Sequence, residues 1–186
     1  MRTRALGLAA AIGSLALAAS ALAASVDGTP GDDRLRGTPN ADVIRAFDGN
    51  DHVAARAGND LVRAGKGDDT VWGDQDSDIL FGGVGNDRIG GGHADDVVWA
   101  GSGNDTAHGG PGGDELHGGT GDDTLHALAA DNTPDTLLCG PGHDTAKVRR
   151  SERSTTTIRG CEVIGVVVTP SGDDEAAEAD RDAEAE

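Results

Sequence analysis

Aspartate recurs at every ninth residue through the middle of this chain. The eleven members of the series are Asp33, Asp42, Asp51, Asp60, Asp69, Asp78, Asp87, Asp96, Asp105, Asp114 and Asp123. Glycine stands two residues before the aspartate in eight of the eleven copies, and an apolar side chain stands two residues after it in all of them. Carboxylate and backbone carbonyl oxygens are the ligands that Ca²⁺ takes, at roughly six to eight per ion. The pattern therefore favours coordination of a hard cation.

The spacing also predicts how these aspartates are placed. Glycine at fixed positions permits tight turns, and the three residues around the apolar position suit a short strand. Nine residues then make one turn and one strand, and two such units complete a coil of eighteen residues. Asp33, Asp51 and Asp69 would stack on one edge of this coil. Such a column of carboxylates repels itself unless cations lie between its members.

Self-similarity at a fixed period indicates a solenoid, so the sequence predicts an all-β fold of stacked nonapeptides. At a strand spacing of roughly 4.8 Å, the repeats would form about five and a half coils and a rod of about 26 Å. Each predicted strand would bury only one apolar side chain. The free energy gained by this burial is too small to offset the entropic cost of ordering the backbone, which is about 1 to 2 kcal/mol per residue. Bound cations are expected to supply the missing stability.

The complete copies of the repeat, at residues 82–89 and 118–125, read Gly-Gly-x-Gly-x-Asp-x-apolar. They resemble the RTX, or haemolysin-type, calcium-binding nonapeptide repeat, and the resemblance extends over residues 28–144. It implies a right-handed parallel β-roll in which aspartates and turn carbonyls bind Ca²⁺ between coils. The metal-binding residues that it implies are Gly31, Asp33, Gly49, Asp51, Gly58, Asp60, Gly67, Asp69, Asp78, Gly83, Gly85, Asp87, Asp96, Gly101, Gly103, Asp105, Gly110, Gly112, Asp114, Gly119, Gly121 and Asp123.

Several Ca²⁺ ions per chain are the expected cofactors. Stacked pairs within the uninterrupted run provide at most about nine sites, counted from the positions of the aspartates. Fewer are expected, because Asn40, Phe47, Arg56, Asp76 and Ala94 stand where the pattern has glycine. Zinc would need His or Cys ligands, which the turns lack, and Mg²⁺ would need a stricter octahedral geometry.

The segments that flank the repeats have other compositions. Residues 1–23 begin with Arg2 and Arg4, continue as an apolar stretch and end in a small-x-small pattern. This predicts a cleaved signal peptide and a secreted, extracellular protein with no membrane span after cleavage; an uncleaved membrane anchor is the alternative. Residues 24–146 are assigned to the repeats, 147–170 to a C-terminal cap, and 171–186 to a disordered acidic tail.

Charge and cysteine content narrow the range of partners. The formal net charge of −18 argues against nucleic acid and for bound cations. Cys139 and Cys161 most simply pair in an exported chain, and the disulfide would tie the cap to the repeats. Two free thiols or a metal-binding pair are the alternatives. The ending around Cys161 resembles that of secreted actinobacterial calcium-binding repeat proteins.

One outer face of the predicted roll is apolar. Both neighbours of each buried apolar residue point outward, which places Val43, Leu61, Ile79, Phe81, Val97 and Trp99 on one surface, the apolar strip. Three interpretations are open: the Val- and Ile-rich residues 158–168 fold back over the strip, the strip only reflects the preference of these residues for strands, or it binds a second copy or a surface ligand. The outward histidines His108, His117 and His126 are expected to be solvated; a metal-binding or pH-sensitive pair of His108 and His126 is the alternative.

No catalytic motif accompanies the repeats. The sequence has no His-Glu-x-x-His, no Gly-x-Ser-x-Gly and no phosphate-binding loop. No carboxylate is expected in an apolar setting that would raise its pKa, so an enzyme is not expected. The prediction is a secreted calcium-binding protein that folds as Ca²⁺ binds. The alternative is a cell-surface adhesion or interaction module that uses the apolar strip. Ice binding is not expected, because it would need a regular row of threonines along the turns, which the sequence lacks.

Overall fold

The computed structural model describes residues 23–129, 131, 133–149 and 155–167. The predicted signal peptide up to residue 22, the predicted acidic tail and parts of the predicted cap lie outside these residues. Within them all regular elements are β-strands. The same residues contain no helix that is long and apolar enough to cross a membrane.

Sixteen short strands follow one another along the described part of the chain. They are β1 (Ser25–Asp27), β2 (Arg34–Arg36), β3 (Val43–Asp48), β4 (His52–Arg56), β5 (Leu61–Lys66), β6 (Thr70–Asp74), β7 (Ile79–Val84), β8 (Arg88–Gly92), β9 (Val97–Ser102), β10 (Thr106–His108), β11 (Glu115–Thr120), β12 (Thr124–Ala127), β13 (Thr136–Leu138), β14 (Thr145–Arg149), β15 (Thr157–Arg159) and β16 (Val163–Val167).

Successive strands alternate between two parallel sheets. The odd-numbered strands form sheet A, in the order β1-β3-β5-β7-β9-β11-β13-β15, and the even-numbered strands form sheet B in the same manner. Within sheet A, Val43 lies beside Leu61, and Leu61 beside Ile79, so paired residues are eighteen apart. This confirms the predicted parallel β-roll with two nonapeptides in each coil.

The roll is longer than the uninterrupted repeats predict, since each sheet has eight strands. β1 precedes the first aspartate of the series, and β13 to β16 follow the last. Ile158 lies in β15 of sheet A and residues Val163–Val167 form β16 of sheet B. The segment that was expected to fold back over the apolar strip therefore extends both sheets instead, because Ile158 and Val166 pack against the end of the core.

The core is a stack of one or two small or medium-sized apolar side chains from each strand. The apolar residue two positions after the aspartate is buried at every repeat from Ile44 to Ala146. A second inward position, four residues after the aspartate, carries small side chains through most of the roll, as at Ala46, Ala64 and Ala100. A core of only two side chains per strand leaves much of the stability to the turns that join the strands.

The chain leaves the nine-residue period once, between β12 and β13. Leu137 lies beside Leu116, and the Asp114 amide donates to Asp135 Oδ1 at 2.9 Å, across 21 residues instead of 18. The register thus resumes at Asp135. The three extra residues change the connection and leave the order of the strands intact.

A disulfide closes the C-terminal end of the roll. Cys139, directly after β13, is bonded to Cys161, shortly before β16, with their Cα atoms 5.2 Å apart. The predicted pairing is confirmed. A loop of this size is expected to stabilise the last coils by about 3 kcal/mol.

Candidate metal centre

Each turn from Asp51 to Asp123 has two residues with positive φ, four and two positions before the aspartate. In the turn that leads to Asp87 these are Gly83 and Gly85, with φ of 122° and 134°. A Cβ on Gly85 would collide with the carbonyl oxygen of Gly67 in the preceding coil. Glycine is therefore favoured here for two reasons: it adopts the left-handed conformation without strain, and it has no Cβ to block the close stacking of the turns.

Five residues other than glycine adopt the same backbone conformation. Phe47, Arg56, Asp74, Asp76 and Ala94 have φ between 68° and 89°. Four of these residues were expected to disturb their sites, but their backbones follow the path of the glycine turns. Left-handed geometry costs such residues roughly 1 to 2 kcal/mol each, so the neighbouring coils must impose it.

The aspartates form two hydrogen-bonded ladders along the roll. The backbone N–H of each aspartate donates to Oδ1 of the aspartate one coil later, as from Asp69 to Asp87 at 2.9 Å and from Asp87 to Asp105 at 2.7 Å. The last bond of this kind runs from the Asp144 N–H to Glu162. The aspartates from Asp42 to Asp144 are buried. Their carboxylates therefore lie inside the turns, one above another.

The second carboxylate oxygen has no partner in most of these turns. Oδ2 is buried without a hydrogen bond in Asp51, Asp60, Asp69, Asp78, Asp87, Asp96, Asp105, Asp123 and Asp144. An unpaired ionised oxygen inside a protein is strongly destabilising, since it has lost its water. Each of these atoms therefore requires either a proton or a cation.

Small residues five positions before the aspartate make room for Oδ2. A Cβ on Gly118 would lie 2.5 Å from Asp123 Oδ2 and 2.6 Å from the carbonyl oxygen of Cys139. Gly82 is placed in the same way between Asp87 Oδ2 and the carbonyl oxygen of the next coil. An unpaired carboxylate oxygen and a backbone carbonyl oxygen thus face the same small space, which is how oxygen ligands of one cation are arranged.

Burial decides the protonation of these carboxylates. It raises the pKa of Asp78 and Asp87 to about 7 and the pKa of Asp96 to about 8, and repulsion from neighbouring aspartates adds to the rise. The backbone hydrogen bonds lower the pKa but are outweighed. The expectation that no carboxylate has a raised pKa is therefore wrong, because the stacked turns exclude water without any large apolar pocket.

The first two turns are built differently. Thr29 and Thr38 each donate a backbone N–H, at 2.5 Å, to Oδ2 of the aspartate four residues later. Their hydroxyls donate to Asp33 Oδ2 at 3.0 Å and to Asp42 Oδ1 at 3.1 Å. Burial raises the pKa of Asp42, but the bonds from Thr38 and Ala24 outweigh it and hold this pKa below its ordinary value. These two carboxylates are satisfied by the protein itself.

The predicted metal-binding residues fall into two groups. Gly31 and Asp33 belong to the first turn, where Gly31 lacks a positive φ and Asp33 is partly exposed. The remaining residues lie together in the central turns, where the glycines have positive φ and the aspartates are buried: Gly49, Asp51, Gly58, Asp60, Gly67, Asp69, Asp78, Gly83, Gly85, Asp87, Asp96, Gly101, Gly103, Asp105, Gly110, Gly112, Asp114, Gly119, Gly121 and Asp123.

Sequence reasoning missed several residues of the ladders. Asp135 and Asp144 were left out of the predicted metal set, but both are buried and continue the ladders. The apolar residue two positions after each was the available signal. Thr29 and Thr38 were also missed, although a Gly-Thr-Pro triplet precedes both first aspartates.

The stacked histidines on sheet B also differ from expectation. The rings of His108 and His126 lie 4.0 Å apart. Burial lowers the pKa of His108 to about 4 and that of His126 to about 3, and the positive charges of Arg88 and Lys147 contribute. The sequence predicts solvated rings, but both rings are partly buried, because each covers a face of the other. Neighbouring positive charges also disfavour a metal at this pair.

The donor set of the turns is made of oxygen. Among the residues that the structure describes, no three His, Cys, Asp or Glu side chains converge on one point. An ion in the turns would therefore take most of its ligands from backbone carbonyls and the rest from aspartate. This donor set fits Ca²⁺ and does not fit zinc.

Comparison with models of known protein families matches the repeats to one of them. The model is that of the RTX calcium-binding nonapeptide repeat, in four copies, and it matches residues 27–62, 55–89, 74–107, 90–125 and 108–133. The matched segments together span residues 27–133, which is more than half of the chain. No curated protein matches the chain.

Proposed function

The chain belongs to the family of RTX calcium-binding nonapeptide repeats, and on this basis we propose that it is a secreted protein that folds when Ca²⁺ binds between its stacked turns. The proposal is carried by the row of buried Oδ2 atoms without partners, which includes those of Asp69, Asp87 and Asp105. Bound Ca²⁺ would supply the positive charge that these carboxylates need when they are ionised.

The central turns would hold the ions. Their ligands would be the backbone carbonyls of the glycine-containing turns and the carboxylates of Asp51, Asp60, Asp69, Asp78, Asp87, Asp96, Asp105, Asp114 and Asp123. Asp33 and Gly31 are left out of this proposed set, because Thr29 already donates twice to the Asp33 carboxylate. Asp144 is added, since its Oδ2 is buried and unpaired like those of the central turns.

The dependence of folding on calcium follows from the ladders. At neutral pH a metal-free roll would have to bury a column of ionised, mutually repelling carboxylates or leave them protonated. Opening the coils returns these groups to water, so the metal-free chain is expected to be unfolded in its central turns. Since the contacts that bind Ca²⁺ are the same ones that close the coils, the free energy of binding stabilises the fold directly.

Export is supported by the disulfide and by the first residues of the chain. A bond between Cys139 and Cys161 is typical of oxidising compartments outside the cytosol. Residues 1–23 have the pattern of a signal peptide. Extracellular calcium, at about 10⁻⁴ to 10⁻³ M, suits weak sites of this kind. In the same proposal, residues 147–170 cap the open end of the roll and residues 171–186 form a solvated acidic tail.

The proposed role is structural and not catalytic. Carboxylates with a raised pKa are often catalytic acids or bases, but those of Asp78, Asp87 and Asp96 are stacked in a repeating ladder. The same environment recurs from coil to coil, which is expected of ion ligands and not of a single reaction centre.

The direct test is a calcium titration of residues 24–186, followed by far-UV circular dichroism and by calorimetric counting of bound ions, with Mg²⁺ as the control. A transition from coil to β-structure with several Ca²⁺ per chain, and little response to Mg²⁺, is expected. A chain that is already rich in β-structure in chelator and indifferent to calcium would refute the proposal.

A second role, as an interaction module, is favoured by one observation. Ile79 and Trp99 of the apolar strip remain 43% and 44% exposed. Large apolar side chains on a flat sheet are typical of surfaces that bind a partner.

A further inference from the structure

The outer face of sheet A consists of three columns of side chains. The first column, one position after the aspartate, includes Val43, Leu61, Ile79, Val97 and Glu115. The second column, two residues further along each strand, contains Asp27, Arg45, Arg63, Phe81, Trp99, His117, Leu138 and Arg159. The third column begins with Phe47 and continues as Gly65, Gly83, Gly101 and Gly119, followed by Gly140.

The two ends of the third column differ in their side chains. At the N-terminal end, the Phe47 side chain is 47% exposed. At the C-terminal end, glycines such as Gly119 and Gly140 form the floor of a hollow of about 430 Å³. Trp99, His117, Leu138 and Arg159 form its wall. The sheet therefore carries an exposed aromatic side chain on one half and a recess on the other.

The eight strands of sheet A allow a simple symmetric pairing. A rotation of 180° about an axis parallel to the strands, between β7 and β9, lays a second copy face to face on the first. The rotation exchanges β7 with β9, β5 with β11, β3 with β13 and β1 with β15, and it keeps each column opposite itself. The result is an isologous contact, in which both copies use the same surface.

This pairing brings apolar residues together at its centre. Ile79 and Phe81 of one copy lie against Val97 and Trp99 of the other. Phe47, on β3, lies against β13 of the second copy, where the third column is the floor of the hollow at Gly140. The pairing therefore places the strand that carries Phe47 over the strand that borders the recess.

Charges on the same face are complementary in this pairing. Arg63, on β5, lies opposite His117 of the second copy, whose ring bonds Glu115 at 2.7 Å. Asp27, on β1, which is paired with Arg45 of its own chain at 3.2 Å, lies opposite Arg159 on β15. Within one chain Arg63 and Glu115 are three strands apart, about 14 Å, so they do not pair there. A face-to-face pairing with both rolls in the same direction, about an axis along the second column, would set Arg63 against Arg63 of the second copy instead.

The area of contact is sufficient for a specific but moderate association. Eight strands at about 4.8 Å and three outward columns give a face of about 34 Å by about 16 Å, so about 1,100 Å² would be buried in total. This is near the lower limit for specific interfaces, and a dissociation constant of about 1 to 10 μM is expected.

We propose that the outer face of sheet A is the interface of an antiparallel, twofold-symmetric dimer of this protein, centred between β7 and β9 and oriented by Arg63 and Glu115. The dimer goes beyond the proposed calcium binding, which it needs only in order to have a folded sheet.

The test uses residues 24–186 in saturating calcium, with sedimentation velocity from 1 to about 200 μM, a range that brackets the expected dissociation constant. The unmodified chain is expected to shift from monomer to dimer across this range. Arg63→Glu and Glu115→Arg should each raise the dissociation constant about tenfold, and the double variant should restore it to within about threefold. Trp99→Ser should weaken the dimer strongly, whereas Trp72→Ser on sheet B, the matched control, should not.

Circular dichroism of every variant in calcium separates loss of folding from loss of dimerisation. A chain that folds with calcium and stays monomeric at the highest concentration would overturn the dimer and leave the calcium proposal intact. Charge reversals without effect, or without rescue in the double variant, would place any association on another surface and would overturn the proposal as well.

Discussion

The turns at Asp33 and Asp42 and the turns from Asp51 to Asp123 use the same spacing of residues but satisfy their carboxylates in different ways. Thr29 and Thr38 donate to the first two aspartates from within the same turn. In the central turns the corresponding oxygen is buried and unpaired at most positions. The nonapeptide therefore supports two kinds of turn, one complete in itself and one that requires a ligand.

The difference lies in one position of the repeat. Threonine four residues before the aspartate supplies a hydroxyl and an N–H to the carboxylate, while a residue with positive φ at this position turns the backbone away. Asp42 therefore has a pKa below its ordinary value, whereas burial raises that of Asp96 to about 8. The first coil is expected to be independent of metal, and the following coils to depend on it.

The largest contrast is expected from removing one negative charge in each region. Asp87→Asn keeps Oδ1 as the acceptor for the Asp69 amide but removes the charge that faces the proposed ion. It should lower the number of bound Ca²⁺ by at least one and raise the calcium concentration at the folding midpoint about tenfold. Asp33→Asn should leave the number of ions unchanged. Calorimetry and circular dichroism measure both; an equal loss of ions in the two variants would remove the distinction between the regions.

A fall in pH should stabilise the central turns of the metal-free protein and destabilise the turn at Asp42. Asp78, Asp87 and Asp96 have a raised pKa in the folded state, so in chelator their contribution to stability is fully present below about pH 4 and is lost as the pH rises through about 6 to 8. Asp42 has a lowered pKa, so its contribution is present above about pH 4 and is lost as the pH falls through its folded value.

Circular dichroism from pH 8 to pH 5 measures which of the two opposing contributions to stability is larger, that of the central aspartates or that of Asp42. In chelator, β-structure should increase as the pH falls, because the central aspartates outnumber Asp42. In calcium, the midpoint concentration should instead rise by up to about tenfold per pH unit for each proton that competes with an ion. Loss of β-structure in chelator at pH 5 would contradict the assignment of the raised pKa values.

A smaller effect is expected at the threonine that completes the second turn. Thr38→Val removes the hydroxyl that donates to Asp42 at 3.1 Å but keeps the backbone N–H. It should lower the free energy of unfolding in calcium by about 0.5 to 1.5 kcal/mol, measured in urea, without changing the number of ions. Thr106→Val, on an outward position of β10, is the control and should change stability by less than about 0.5 kcal/mol.

The smallest effect should come from relieving a strained turn. Ala94 has a φ of 74°, so Ala94→Gly should stabilise the calcium-bound protein by about 0.5 to 1 kcal/mol. Ala54→Gly, in the extended strand β4, should destabilise it by a similar amount of about 0.5 to 1 kcal/mol. Equal signs for the two substitutions would show that the backbone at Ala94 is not held in the left-handed region.

The sequence predicts what depends on spacing alone. A period of nine places Leu80 inward on its strand and Asp78 in the turn before it, and two units make one coil, so the parallel roll and its core follow from the repeat. The disulfide was expected because the predicted signal peptide indicates export and the sequence has only two cysteines. The aspartates of the uninterrupted repeats could therefore be placed in the ladders from the sequence, whereas Asp135 and Asp144 were missed as members of the metal set.

The remaining features depend on contacts between coils. Phe47 and Arg56 disfavour positive φ by themselves, and only the coils on either side explain why they adopt it. The bond from each aspartate amide to Oδ1 of the next coil, and the orphaned Oδ2, require the register of stacking in three dimensions. The metal ions could be inferred from residue types, but the exception at Asp33 and Asp42 could not, because it rests on hydrogen bonds within two particular turns.

Alternation of the strands between two sheets also restricts how such a gene can change length. Deleting the single nonapeptide that contains β8 would move every later strand to the opposite sheet and would separate Ile79 and Phe81 from Val97 and Trp99. Deleting two nonapeptides would shorten the rod by one coil and leave each surface with its own residues. The three additional residues between β12 and β13 are tolerated because they alter a connection and not the parity of the strands. Viable insertions and deletions in this protein should therefore come in pairs of repeats.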